Sequence, residues 1–282
     1  MEVYLVSLLI FIVIIYLLQE SSLTEPFLNT EGIVVCLLCV CPNEIVIKFA
    51  RKMTANYKVY VVCDDIYCLT SDEPNITFLK ISDEEVSKMN YTRSNVAIGK
   101  IPSAWDKALY YFCVKDITPS HVWFIEEDVF IPRASILYEI DKKHPKADLV
   151  AKQNVSQVED PEFGWWFDAE VNMDPPLYRS MVCASRLSRA LLNEIVGFVN
   201  KKGRLVFIEI MFNTIVKQKE MELAQPEELS TIIWRYDWND GNIDANHMFH
   251  PVKNTRDQKK YRELLAARPD SNVEAFADNK IE

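Results

Sequence analysis

Hydrophobic positions fall into three patterns along the chain. The first is Val3–Leu18, VYLVSLLIFIVIIYLL, an apolar run with no polar face. An amphipathic surface helix would show one. A bilayer core takes about 20 apolar residues, so the run is short but spans with its flanks. No basic residue precedes it, and Gln19–Ser22 offers no A-x-A-like cleavage site. The expectation is an uncleaved single-pass N-terminal anchor over residues 1–20, followed by a tether over 21–31 and membrane localisation.

The second pattern is alternation between short apolar runs and helically spaced segments. Ile33–Cys41, Lys58–Cys63, Ile76–Ile81 and His121–Phe130 read as strands, while Asn43–Asn56 and Ser103–Val114 have helical spacing. Continuous apolar strands separated by helices predict a mostly parallel sheet covered on both faces. The third pattern is less regular: a strand-like Asp148–Gln153, an aromatic loop at Gly164–Phe167, and helical spacing over Ser185–Asn200 and Glu209–Glu222. Charge density rises after Pro251, so residues 32–255 are expected to form one domain and 256–282 a polar C-terminal tail.

Composition narrows the chemistry. Lys plus Arg is 31 and Asp plus Glu is 41, a net charge of 31 − 41 = −10, with no basic cluster. Nucleic-acid binding relies on clustered Lys and Arg, so nucleic acid is excluded as a partner. The six glycines lie far apart, and neither a P-loop nor a G-x-G-x-x-G turn can be built from them. Any phosphorylated ligand must be held by something other than a glycine cradle. Cys36, Cys39 and Cys41 lie in a strand whose alternation sends them to different faces, which favours buried thiols over a metal site. Three N-x-S/T sequons, at Asn75, Asn90 and Asn154, are compatible with a lumenal domain.

The sharpest chemical feature is His121-Val-Trp-Phe-Ile-Glu126-Glu127-Asp128-Val-Phe. On an extended backbone Glu126 and Asp128 project to one side, about 7 Å apart. Carboxylates at the end of a buried strand are costly without a compensating cation, and a hard divalent ion with oxygen ligands fits. An acidic turn simply leaving the core would have the same sequence. Asp64-Asp65 ends the second strand, where an acid could accept from a ribose or a base. Trp105-Asp106-Lys107 opens a helix, with Trp105 read as core and Lys107 as a candidate for phosphate. In Gly164-Trp165-Trp166-Phe167-Asp168, aromatic faces could stack on a sugar ring while Asp168 accepts its hydroxyls. Core packing of one of the two tryptophans is the plainer alternative.

A strand-borne EED after two βα units, preceded by a W-D-K-A helix start, resembles the nucleotide-sugar glycosyltransferases of GT-A fold. The likeness covers most of Ile33–Lys253 and is greatest to the small, often membrane-anchored kind of protists and large algal viruses. It implies a Rossmann-like mixed α/β sheet, mostly parallel and flanked by helices. It also implies a divalent ion, Mn²⁺ or Mg²⁺, bridging the donor diphosphate. Asp128 would be a direct metal ligand and Glu126 would assist on the ribose or through water, with Glu127 beside them; Glu126 stands where the family commonly has Asp. His250-Pro-Val-Lys253 resembles the segment that returns a His to the metal and a Lys to the diphosphate, with His247 three residues earlier as a competing candidate. Leu205-Val-Phe-Ile-Glu209-Ile-Met-Phe resembles the family's F-x-E segment, and burial would raise Glu209 towards the pKa of a general base. The implied activity is transfer of a sugar, with inversion, from a nucleoside-diphosphate donor such as a UDP-sugar to a hydroxyl of a glycan or glycoprotein. A catalytically silent nucleotide- or glycan-binding module is the competing reading. A metal-dependent phosphohydrolase would need more clustered ligands than His121, His144, His247 and His250 provide.

Overall fold

Ile33–Cys39 is buried at every position, as a strand covered on both faces must be. The computed structural model describes residues 32–65, 67–68, 73–95, 101–269 and 272–273. The expected anchor and tether lie outside the described residues, and among the described residues no helix is long and apolar enough to cross a membrane. The strands are β1 (Ile33–Cys39), β2 (Lys58–Cys63), β3 (Ile76–Leu79), β4 (His121–Glu126), β5 (Leu149–Val150), β6 (Val155–Ser156), β7 (Tyr178–Arg179), β8 (Ala184–Ser188) and β9 (Leu223–Ala224). Seven of them form one sheet in the order β3-β2-β1-β4-β8-β5-β9, and β6 pairs with β7 apart from it. In the large sheet β8 runs antiparallel to β4 and β5, while the remaining pairs are parallel. The expected mixed, mostly parallel sheet with flanking helices is therefore present.

Alternation along each strand divides the core into two layers. Val35 and Leu37 face α1 (Glu44–Met53) and the later helix Ser135–Lys143, with Phe49, Met53, Ile136 and Ile140 buried against them. Val34, Cys36 and Leu38 face the opposite layer. That layer holds Ala104–Tyr110, with Trp105 and Leu109, and the long helices Arg189–Lys202 and Ile208–Gln218. In chain order the helices are α1 (Glu44–Met53), α2 (Asp83–Lys88), α3 (Ala104–Tyr110), α4 (Ser135–Lys143), α5 (Trp166–Glu170), α6 (Arg189–Lys202), α7 (Ile208–Gln218) and α8 (Thr255–Ala266).

Three expectations need correction. Ser185–Asn200 is not one helix: Ala184–Ser188 is the buried strand β8, and the helix starts at Arg189. Its polar letters disguise it, because the fully buried Arg186 is paired rather than exposed. The Arg186 guanidinium meets the Asp141 carboxylate and the His144 carbonyl. Asp141 also accepts from Tyr57 Oη at 2.6 Å and Trp123 Nε1 at 3.0 Å. Asp141→Ala would strand a buried guanidinium, so the expected loss is roughly 3–5 kcal/mol, measurable by denaturant unfolding.

Second, strand β4 stops at Glu126, and Glu127-Asp128 form the turn beyond it. Third, the stretch expected as a polar tail contains α8. Its apolar residues are few, but Tyr261 and Leu265 stand one turn apart and bury with Phe130 and Phe249, while the Arg262 guanidinium holds the Ile131 and Pro132 carbonyls. This small third core returns residues 249–253 to the end of β4.

Candidate active site

At the C-terminal end of β4 the turn separates the three acids. The Glu127 amide bonds the Leu38 carbonyl, and its carboxylate accepts from Val40 N at 3.1 Å. Glu127 thus closes the end of β1 and lies outside the cleft. Glu126 and Asp128 both line the cleft. Indole Nε1 of Trp105 donates to Glu126 Oε1 at 2.6 Å, so the buried tryptophan read as core also fixes an acid of the site.

His250 is brought in from the far end of the chain. Backbone bonds between Phe130 and Phe249, and from Val252 N to the Asp128 carbonyl at 2.7 Å, tie the two segments together. The imidazole is buried, with Nδ1 2.7 Å from the Ile233 carbonyl. A carbonyl can only accept, so Nδ1 carries a proton and Nε2 is the ring atom turned towards the acids. That Nε2 lies 3.5 Å from Asp128 Oδ1 and 4.0 Å from Glu126 Oε2.

Cys183, just ahead of β8, completes a group with Glu126 and His250 whose ligand atoms lie within 4.8 Å of one another. Burial, then the Glu126 charge, pushes the Cys183 thiol well up, which keeps it protonated and a poor ligand. Burial and Asp128 likewise push Glu126 up, as crowded acids do without a cation. Two carboxylates and one oriented imidazole are an oxygen–nitrogen set that fits a divalent ion of the Mn²⁺ type. The carbonyl holding the other ring nitrogen is the outer support such a ligand needs.

The cleft has a volume of about 980 Å³ and is also lined by Lys253, Glu209 and the segment Trp234–Trp238. Lys253 is exposed there. Glu209 occupies the first turn of α7 and is buried; burial first, then the Glu126 charge, raises its pKa to about 8. A second cavity of about 550 Å³ shares Phe207, Glu209 and Trp234 with the cleft, so Glu209 stands where the two meet.

Four of the residues expected in the site serve the scaffold instead. Lys107 is buried away from the cleft, its Nζ on the Asp64 carbonyl at 2.5 Å and on Asp83 at 2.7 Å. Trp166 packs in the core and donates to the Asp160 carbonyl. Asp168 pairs with Arg204 at 2.5 Å and accepts from Phe207 N at 2.9 Å, capping the entry to α7. Asp64 accepts from Ala104 N at 2.5 Å, fixing the start of α3. Asp65 is exposed, with its carboxylate in a local turn on Tyr67 N, and Trp165 lines the second cavity. Asp168→Ala is therefore expected to cost roughly 1–3 kcal/mol of stability, which thermal unfolding would show.

Sequence reasoning missed Trp234-Arg235-Tyr236-Asp237-Trp238, although aromatic residues alternating with charges just ahead of His250 were a signal. Nothing in the sequence marks Cys183.

No protein-family profile and no curated protein matches the chain. Among solved structures, the galactosyltransferase LgtC in complex with donor and acceptor sugar analogues is similar at a TM-score of 0.44 and 11% identity, over 84% of this chain and 98% of that one. An active-site mutant of LgtC gives 0.42 and 11%, over 78% and 85%. Mouse xyloside xylosyltransferase 1 gives 0.36 and 11%, over 69% and 85%. At this level of similarity, function rests on the geometry of the site itself.

Proposed function

We propose that the chain is a metal-dependent glycosyltransferase of GT-A type, moving a sugar from a nucleoside-diphosphate donor to an acceptor hydroxyl. The observation that carries this reading is the buried His250 Nε2, held by Ile233 and turned towards Asp128 and Glu126 at the rim of a mostly parallel sheet. Ligands of open α/β sheets bind at that rim, and the cleft has the volume of a ligand site. Asp128 and His250 would hold the ion, with Glu126 beside them. When bound, a divalent cation offsets the diphosphate charge and acts as a Lewis acid on the leaving group.

The protein's own groups supply the rest. Lys253 would meet negative charge developing on the leaving diphosphate. Trp105 holds Glu126 in one orientation, and Ile233 holds His250, so little reorganisation is needed on donor binding. Glu209 would take the proton from the acceptor hydroxyl at the junction of the two cavities, the arrangement for direct displacement with inversion. Its raised pKa matches the task, since a base near neutrality combines availability with proton affinity.

The deciding experiment screens a panel of nucleotide sugars for Mn²⁺-dependent hydrolysis and follows thermal stabilisation by nucleoside diphosphates. Turnover of at least one donor, and stabilisation abolished by a chelator, are expected. If neither appears, the acid cluster is structural and the proposal is wrong.

A further inference from the structure

The second cavity contains a charge that the protein does not answer. It is walled by Trp165, Trp234, Phe207 and Phe163, and two cations line it, Lys152 and Arg179. Arg179 is satisfied: it pairs with Asp160 and lies over the Phe163 ring at 3.9 Å. Lys152 is half-buried and has no carboxylate or hydrogen-bond partner among the described residues. The cavity's acids are Asp160, which is committed to Arg179, Glu162, and Glu209, and none of them forms an ion pair with Lys152. Burial and the Arg179 charge both disfavour the Lys152 ammonium. In a chain with net charge −10, a half-buried cation that lines a cavity with aromatic walls and pairs with none of the cavity's acids is an unpaired group available to a ligand. Half-burial removes part of the ammonium's hydration, and an anion entering the cavity would offset that loss.

We infer that this cavity takes an acidic sugar, whose anionic group pairs with Lys152 while its ring lies against Trp165 and Trp234. The identification of that sugar as the acceptor rests on the glycosyltransferase reading; the binding site itself does not. Aromatic faces select a sugar ring, and the lone ammonium selects its charge. A carboxylate and a sulfate ester share the required chemistry.

The test titrates the full-length chain with phenyl β-D-glucuronide, phenyl β-D-glucoside and the 6-sulfated glucoside, reading tryptophan fluorescence. At least one anionic glycoside is expected to bind about tenfold or more tighter than the neutral one, the size of one modest charge pair. Which of the two binds tighter identifies the anionic group. That ratio should collapse towards one in Lys152→Ala and survive in Lys152→Arg. Equal affinities in the wild type, or an intact ratio in Lys152→Ala, would overturn the inference. Donor hydrolysis in the wild type reads the transferase proposal separately. An intact anion preference without hydrolysis sinks that proposal and leaves the acidic-sugar site, whereas hydrolysis without the preference sinks only the inference.

Discussion

Asp128→Asn should remove Mn²⁺-dependent donor turnover almost completely, by roughly 10³-fold or more. A metal acting as Lewis acid supplies several kcal/mol of transition-state stabilisation, and each 1.4 kcal/mol is about a factor of ten. The substitution keeps the size and shape of the side chain, so the backbone bond from Val252 N to the residue 128 carbonyl is untouched. It also removes a charge that crowds Glu126. The metal-free variant should therefore unfold no earlier than the wild type, while the stabilisation given by Mn²⁺ with a nucleoside diphosphate disappears. His250→Ala should act in the same direction by removing the oriented Nε2. Turnover measured against Mn²⁺ concentration, with unfolding followed in parallel, separates loss of the ion from loss of the fold. Wild-type turnover at saturating Mn²⁺ in Asp128→Asn would show that the acids have another purpose.

The parts of this site legible in the sequence are those carried by periodicity and by costly chemistry. β1, β2 and β4 announce themselves because they are apolar at nearly every position, and three acids at the end of β4 are conspicuous for the same reason. Glu209 stands out because a lone acid among apolar residues is expensive. What stayed hidden depends on pairing between distant residues. Arg186 reads as a surface residue until Asp141 is seen opposite it. Lys107 and Asp168 read as ligand groups until Asp83 and Arg204 are found holding them. A charged residue belongs to a site or to the scaffold according to its partner, and a linear sequence does not state partners. Helix α8 stayed hidden for a related reason, since Tyr261 and Leu265 are its few buried apolar residues and the polar Gln258 and Arg262 seat it through backbone carbonyls.

Glu209→Gln is expected to suppress transfer by roughly 10²–10⁴-fold, the range of general base catalysis, while Mn²⁺-dependent donor binding persists. The wild-type rate should depend on pH in a defined direction. Only the ionised carboxylate accepts a proton, so the rate climbs about tenfold per pH unit below the midpoint and levels above it. Without metal that carboxylate titrates at about 8. A bound cation offsets the Glu126 charge, the second cause of the shift, but not burial, the first. The midpoint of transfer with metal bound should thus lie below about 8 and above the ordinary value of 4.5. Stability should run the opposite way. An acid whose pKa is raised by folding makes the native state bind more protons than the unfolded chain between the two pKa values. Stability therefore falls as pH rises from 4.5 to about 8 and is flat above. The amide of Glu209→Gln does not titrate, so the variant should match the wild type near pH 5 and be more stable at pH 9. The gain is on the order of a few kcal/mol, about 5 °C or more in melting temperature. Melting curves of both proteins at the two pH values test this without any substrate. A variant that is inactive and more stable only at high pH would mark Glu209 as a carboxylate buried at the expense of the fold for the sake of the reaction. Equal loss of stability at both pH values would make it a structural residue and leave the acceptor without its base.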